Sequence, residues 1–203
     1  MSYFCRGVLS AAILTLAACS TTQDISKAVV RGTGPDANGF LIIGTANENS
    51  RNEMFFVSQA FGIDLARGDG QVEHVVRNGC NTASGILSGQ SCSSDRRIVE
   101  HVVELPPGDW QIDGVFESDR HGFPSRTDIV RARLPPGITI HVGPGEVVYA
   151  GDFLFTLDQD KVQGSLKSYS RDDAAAARAL AAYPGLAGGF VYREPTHPVT
   201  GRS

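Results

Sequence analysis

Five histidines, four cysteines and 22 carboxylates supply the reactive side chains of this 203-residue chain. Two short segments echo one another: Val72-Glu73-His74-Val75-Val76 and Val99-Glu100-His101-Val102-Val103. Neighbouring side chains of a strand point to opposite faces, so each His is turned away from its own Glu. His74 and His101 can share a metal only where strand register brings both to one face. The expected reading is two ordinary solvent-facing strand histidines. His121 lies in the charged loop Asp119-Arg120-His121-Gly122-Phe123-Pro124. It could act as a base only with an acid or nucleophile in hydrogen-bond reach. Asp109 and Asp113 near Trp110 could form a sugar-binding patch, but a Trp alternating with Ile112 is a core pattern. Asp158-Gln159-Asp160-Lys161 opens like a calcium loop, then places Val162 where an oxygen ligand is needed, and reads as a turn. The chain carries no G-x-S-x-G, S-x-x-K, H-E-x-x-H or Walker signature. Gly32-Thr33-Gly34-Pro35 opens no helix, so no phosphate cradle follows. The expectation is a non-enzymatic protein without a cofactor. The alternative is an envelope hydrolase or carbohydrate-binding accessory using loop carboxylates and His121.

The cysteines divide by position. Val8–Ala18 is an uncharged, mostly apolar stretch of eleven residues after Arg6. A membrane span needs about 20 residues, so this is an export signal rather than a span. It ends in Leu16-Ala17-Ala18-Cys19, which resembles the bacterial lipobox. There the small residues Ala17 and Ala18 admit the peptidase, cleavage falls between Ala18 and Cys19, and the Cys19 thiol takes the diacylglycerol. Ser20 follows where Asp would favour retention at the inner membrane, so the resemblance implies the outer membrane, facing the periplasm. Acyl chains contribute ~0.8 kcal/mol per buried CH₂ and would hold the chain to the bilayer. Cys5 leaves with the signal. Cys80 and Cys92 remain in an oxidising compartment, flanking eleven polar, Gly/Ser-rich residues. A disulfide there would stabilise by ~3 kcal/mol in the chain-entropy model. Redox pairs are usually spaced C-x-x-C, and no second Cys or His pair lies near enough in sequence to complete a metal set.

Organisation follows from composition. A formal charge of −4 lacks the basic face of a nucleic-acid binder, so no nucleic acid is expected. The 23 glycines and 10 prolines suit a turn-rich β protein. Residues 1–18 are the signal, 19–38 a lipidated tether, 39–192 the folded domain and 193–203 a flexible tail with two prolines. Strands are predicted at Phe40–Ile43, Glu53–Val57, Gln71–Val76, Arg97–Leu105, Trp110–Phe116, Asp128–Leu134, Ile138–Val142, Glu146–Leu157 and Lys161–Tyr169. This is a mainly β chain: an antiparallel β-sandwich of eight to ten short strands. The echoed segments could form one hairpin with the cysteine loop at its tip. Leu105-Pro106-Pro107-Gly108 and Leu134-Pro135-Pro136-Gly137 read as tight turns into strands. Ser170-Arg171-Asp172-Asp173 has capping-box form and opens one Ala-rich helix over 171–183, anchored by Leu180 and Tyr183 and stopped by Pro184-Gly185.

Three segments together carry a family resemblance. They are Leu105-Pro106-Pro107-Gly108-Asp109-Trp110, the stretch Val142-Gly143-Pro144-Gly145-Glu146-Val147-Val148-Tyr149-Ala150-Gly151-Asp152-Phe153, and the helix ending Tyr183-Pro184-Gly185. The combination resembles uncharacterised bacterial envelope lipoproteins with a transthyretin-like or carboxypeptidase-regulatory-like sandwich. The resemblance covers the second half of the domain and implies fold and location, with no activity. An envelope protein partner and the membrane are the expected partners. Thiol labelling of the unfolded, unreduced mature protein should find Cys80 and Cys92 blocked. Two free thiols would refute the disulfide.

Overall fold

An apolar run without a polar break persists in a strand when both faces of that strand are buried. Phe40-Leu41-Ile42-Ile43 is such a run. It lies in β1 (Gly39–Asn47), and all nine residues of that strand are buried. The computed structural model that shows this describes residues 28–48, 58–68, 72–79, 98–121, 126–158 and 162–196. Eight further strands follow among the described residues: β2 (Ser58–Arg67), β3 (Val72–Gly79), β4 (Val99–Leu105), β5 (Gly108–His121), β6 (Arg126–Val142), β7 (Val147–Asp158), β8 (Gln163–Ser170) and β9 (Val191–Tyr192). One α-helix, α1 (Asp173–Leu180), and a 3-10 turn at Pro184–Leu186 lie between the last two.

The strands form two sheets. The first has the order β4-β1-β7-β8, with β9 also beside β7; the second has the order β3-β2-β5-β6. Between them lies a core from both sheets, built on Leu41, Ile43, Ile63, Leu65, Trp110, Ile112, Ile140, Phe153 and Phe155. The outer face of the first sheet is apolar too. Phe40, Ile42, Val147 and Tyr149 pack there under Ala176, Leu180 and Leu186. The fold is the expected mainly β sandwich with one closing helix. Not every pairing is antiparallel, because β1 and β9 both run parallel to β7.

β7 serves both cores through a bulge. Register against β1 jumps between Ile42 and Gly44, opposite Tyr149 and Asp152. Gly151 takes φ +101 there, and an added Cβ would strike the Tyr169 ring. The extra residue lets Tyr149 face the helix while Phe153 and Phe155 face the second sheet.

Several local expectations are corrected. The echoed segments are not two legs of a hairpin: β3 pairs with β2 in the second sheet, and β4 pairs with β1 in the first. The two strands predicted at Asp128–Leu134 and Ile138–Val142 are one, β6. Leu134-Pro135-Pro136-Gly137 is a bulge inside it, where the pairing jumps from Ile112↔Ile138 to Gly114↔Arg133. Leu105-Pro106-Pro107-Gly108 is the expected connection, and the carbonyls of Pro106 and Pro107 accept from Trp110 Nε1 at 2.9 Å and Arg67 Nη2 at 2.8 Å. The helix cap is Asp172 rather than Ser170: its side chain accepts from Ala175 N at 2.9 Å. Asp173 instead pairs with Arg171 at 2.6 Å. The predicted strand Glu53–Val57 lies outside the described residues.

Both ends of the domain extend further than expected. Of the tether drawn at 19–38, residues 28–38 pack on the domain. Val29 joins the core beneath the helix. Arg31 donates from its backbone N to Gly185 O (3.4 Å) and from Nη2 to Leu186 O (2.9 Å). Asn38 donates to Glu104 at 2.9 Å. Of the tail drawn at 193–203, residues 193–196 strap the two sheets together. Arg193 N donates to Tyr149 O at 3.0 Å in the first sheet. Thr196 exchanges backbone bonds of 2.9 and 3.1 Å with Thr139 on the edge of the second. The Arg193 guanidinium grips Glu146 at 3.0 and 3.1 Å. Residues 1–27 and 197–203, Cys19 included, lie outside the described residues.

A pair one-third exposed on each side contributes about 1 kcal/mol or less, and each backbone bond ~1 kcal/mol. These sum to about 3–4 kcal/mol, so ending the chain after Tyr192 should lower the thermal midpoint by roughly 6–16 °C, at ~2–4 °C per kcal/mol for a domain of this size. An unchanged midpoint would mean that the strap carries no load.

Candidate functional site

Three carboxylates are buried among the described residues: Asp64, Glu117 and Asp152. Glu117 accepts from Asn47 Nδ2 at 3.4 Å, and the other two lie on the outward faces of the sheets. Asp64 sits on β2 and is 2% exposed. Its Oδ2 takes Arg131 Nε at 3.0 Å across the second sheet. Burial pushes the Asp64 carboxyl above the ordinary carboxylate range; Arg131 opposes that shift and Asp113 adds to it. Arg131 also lies over the Phe116 ring, 5.3 Å from its centroid. Beside it, Arg133 Nε stands 3.8 Å from Asp113. Along β6, Ile129, Arg131 and Arg133 alternate outward and reach solvent, while Ala132 and Leu134 enter the core. The result is a charged outward face on the second sheet, on the side of the sandwich away from the helix.

Asp152 is the other outward-facing buried carboxylate, on β7 beneath the helix N-terminus. Its Oδ1 lies over Gly44, where a Cβ would collide with it. Oδ1 has no hydrogen-bond partner among the described residues. Burial raises the Asp152 carboxyl, a hydrogen bond from the Tyr149 hydroxyl opposes this, and Glu100 and Asp172 add to it. Tyr149 OH in turn accepts the Asp172 backbone N–H at 2.9 Å, and burial pushes its own ionisation upward. A neutral carboxyl removes the cost of burying an unpaired charge. The group links strand to helix cap, and burial favours its neutral form.

A third polar line crosses the end of the sandwich. Asp109 and His141 are opposed on β5 and β6 and meet at 2.6 Å (Oδ1 to Nδ1). The carbonyl of His141 accepts from Arg193 Nη1 at 2.8 Å. This pair is open to water, and its charge contribution is correspondingly small.

Among the described residues, those singled out in the sequence do not converge. His74 pairs in register with Leu65 on the edge strand β3, and His101 with Ile43 on the edge strand β4 of the other sheet. His101 is half-buried, on the face of β4 that also carries Val103 and Leu105, and the His74 side chain lies outside the described residues. Among the described residues no three His, Cys, Asp or Glu side chains gather as a metal site. Trp110 is 0% exposed and belongs to the core, so it is no sugar platform. Asp109 and Asp113 are committed to His141 and Arg133. His121 ends β5 opposite Arg126, and its side chain lies outside the described residues. So do Ala18, Cys19, Cys80 and Cys92. Sequence reading missed Asp64 with Arg131, and Asp152 with Tyr149. The available signal was a lone Asp inside each apolar strand, Ile63-Asp64-Leu65 and Gly151-Asp152-Phe153.

No family model and no curated protein matches this chain. One solved structure, a Bacteroides ovatus chain provisionally named a cell adhesion protein, shares 7% identity with it. The overlap has a TM-score of 0.29 and covers 66% of this chain and 45% of that one. The chain thus spans less than half the length of that neighbour, and so slight a likeness carries no argument about function.

Because Asp152 binds its proton more tightly folded than unfolded, its ionisation opposes folding. The penalty is absent below the unfolded value near ~3.9, grows as pH rises through the raised folded value, and is constant above it. Asp152→Asn should therefore raise the thermal midpoint at pH 7, with the gain shrinking as pH falls toward about 4. A difference independent of pH would show that folding does not raise the Asp152 carboxyl.

Proposed function

We propose that this chain is a non-enzymatic bacterial envelope lipoprotein. It is held to the outer membrane by lipid on Cys19 and presents a rigid β-sandwich as a structural or binding module. The observation that carries this reading is Leu16-Ala17-Ala18-Cys19 at the end of a short apolar segment, with eight residues between Cys19 and Ala28, the first described residue. A two-sheet core supports the reading as a stiff platform. A Cys80–Cys92 disulfide would close part of the connection between β3 and β4, which passes from one sheet to the other. The outward face of the second sheet is the surface we assign to an envelope protein partner. It pairs fixed charges at Asp64–Arg131 and Asp113–Arg133 with the exposed apolar Ile129. Such mixed faces on a rigid sheet suit protein contact.

Cell fractionation tests the anchor. The parent chain should sediment with membranes, and Cys19→Ala should move it to the soluble fraction. Membrane retention unchanged by the substitution would overturn the lipoprotein reading.

A further inference from the structure

A lipid anchor has consequences that depend on where the folded domain begins. Packing of residues 28–38 leaves Ser20–Lys27, eight residues, between Cys19 and the domain. Nine Cα steps reach about 30 Å at full extension. The link therefore keeps the domain within about 30 Å of the leaflet that holds Cys19, and the surface around Ala28 is the one held nearest to it.

The surface nearest the anchor has a suitable composition. It is built from Ala28–Val30 and from the chain over Tyr183–Val191, where Val29, Tyr183, Leu186 and Phe190 pack together beneath the helix. These two segments carry no Asp, Glu, Lys or Arg. Val30 is 70% exposed, the highest value among the exposed large hydrophobic residues of the described chain. Pro184, Ala187, Gly188 and Gly189 are exposed beside it. Arg31 follows at the rim, tied by Nη2 to the carbonyls of Leu186 and Gly189. An exposed apolar side chain in an uncharged segment can enter a headgroup interface, while Arg31, tied to those carbonyls, holds the segment in place.

We infer that the protein seats this Val30 face on the lipid surface that anchors it, so that the outward face of the second sheet points away from the membrane. The inference rests on lipidation of Cys19. Tethering makes the contact intramolecular, with an effective concentration in the millimolar range, so a weak apolar contact is enough to hold orientation.

The test uses the full lipidated chain reconstituted into phosphatidylethanolamine–phosphatidylglycerol vesicles that carry a headgroup nitroxide lipid. A bimane label is placed at Val30→Cys or, on the opposite side of the sandwich, at Ile129→Cys. The parent chain, labelled in parallel, supplies the background. Flotation is read first. A chain that does not float with the vesicles overturns the lipid anchor, and the seating with it. In the floated fraction, quenching at position 30 should exceed that at 129 by threefold or more. Equal quenching at the two positions, or stronger quenching at 129, would overturn the seating while leaving the anchor intact.

Discussion

Burial of the first sheet on both faces is the constraint from which the rest of the structure follows. β1 is apolar along its whole central run, and its inner face is covered by the second sheet. Its outer face would otherwise present Phe40, Ile42, Val147 and Tyr149 to water. Burying one large apolar side chain is worth ~1.5–3 kcal/mol, so this face requires a lid. α1 provides part of it through Ala175, Ala176 and Leu180, whose small side chains let the helix approach closely. The helix is too short to finish the cover. The 3-10 turn, Phe190, Tyr192 and Val29 complete it.

This lid ties distant parts of the chain together. Asp172 caps the helix while its N–H is held by Tyr149, and Tyr149 also bonds Asp152. Tyr169 donates to Ala150 O at 2.9 Å and meets the Tyr192 hydroxyl at 2.6 Å, which carries the chain toward the Arg193 strap. Arg171 lies over the Tyr192 ring, 3.9 Å from its centroid. The lid also captures the beginning of the domain, because Arg31 has its carbonyl partners in the turn at 185–189. In the proposed function that capture shortens the link to Cys19 and gives the sandwich one membrane-facing side and one outward side.

Residues whose partners are near in sequence were legible, and those with distant partners were not. The alternation of Trp110 with Ile112 revealed a core strand, and the Ala-rich run revealed the helix, because each pattern is local. Choosing between Ser170 and Asp172 as the cap required the Tyr149 hydroxyl, which lies 23 residues from Asp172. β2 went unread because Gly62 and Asp64 weaken its strand propensity. Both are explained only across the sheet, Asp64 by Arg131 and Gly62 by the Phe116 ring that occupies the space a Cβ would need. The ordered ends were hidden for the same reason. Ala28–Asn38 and Arg193–Thr196 look polar and loose in isolation, yet Arg31 meets Leu186 across 155 residues and Thr196 meets Thr139 across 57. The parallel pairing of β1 with β7 left no mark in the sequence, since both strands are buried on two faces and read as continuous apolar runs.

The claim that joins fold to function is that the lid holds the sandwich directly on the lipid surface. Neutron reflectometry of the lipidated chain on a supported bilayer measures this as a density profile along the membrane normal. The account predicts protein density that begins at the headgroups, with no intervening water layer. A water-rich gap of about 30 Å, the full reach of the eight-residue link, would contradict it.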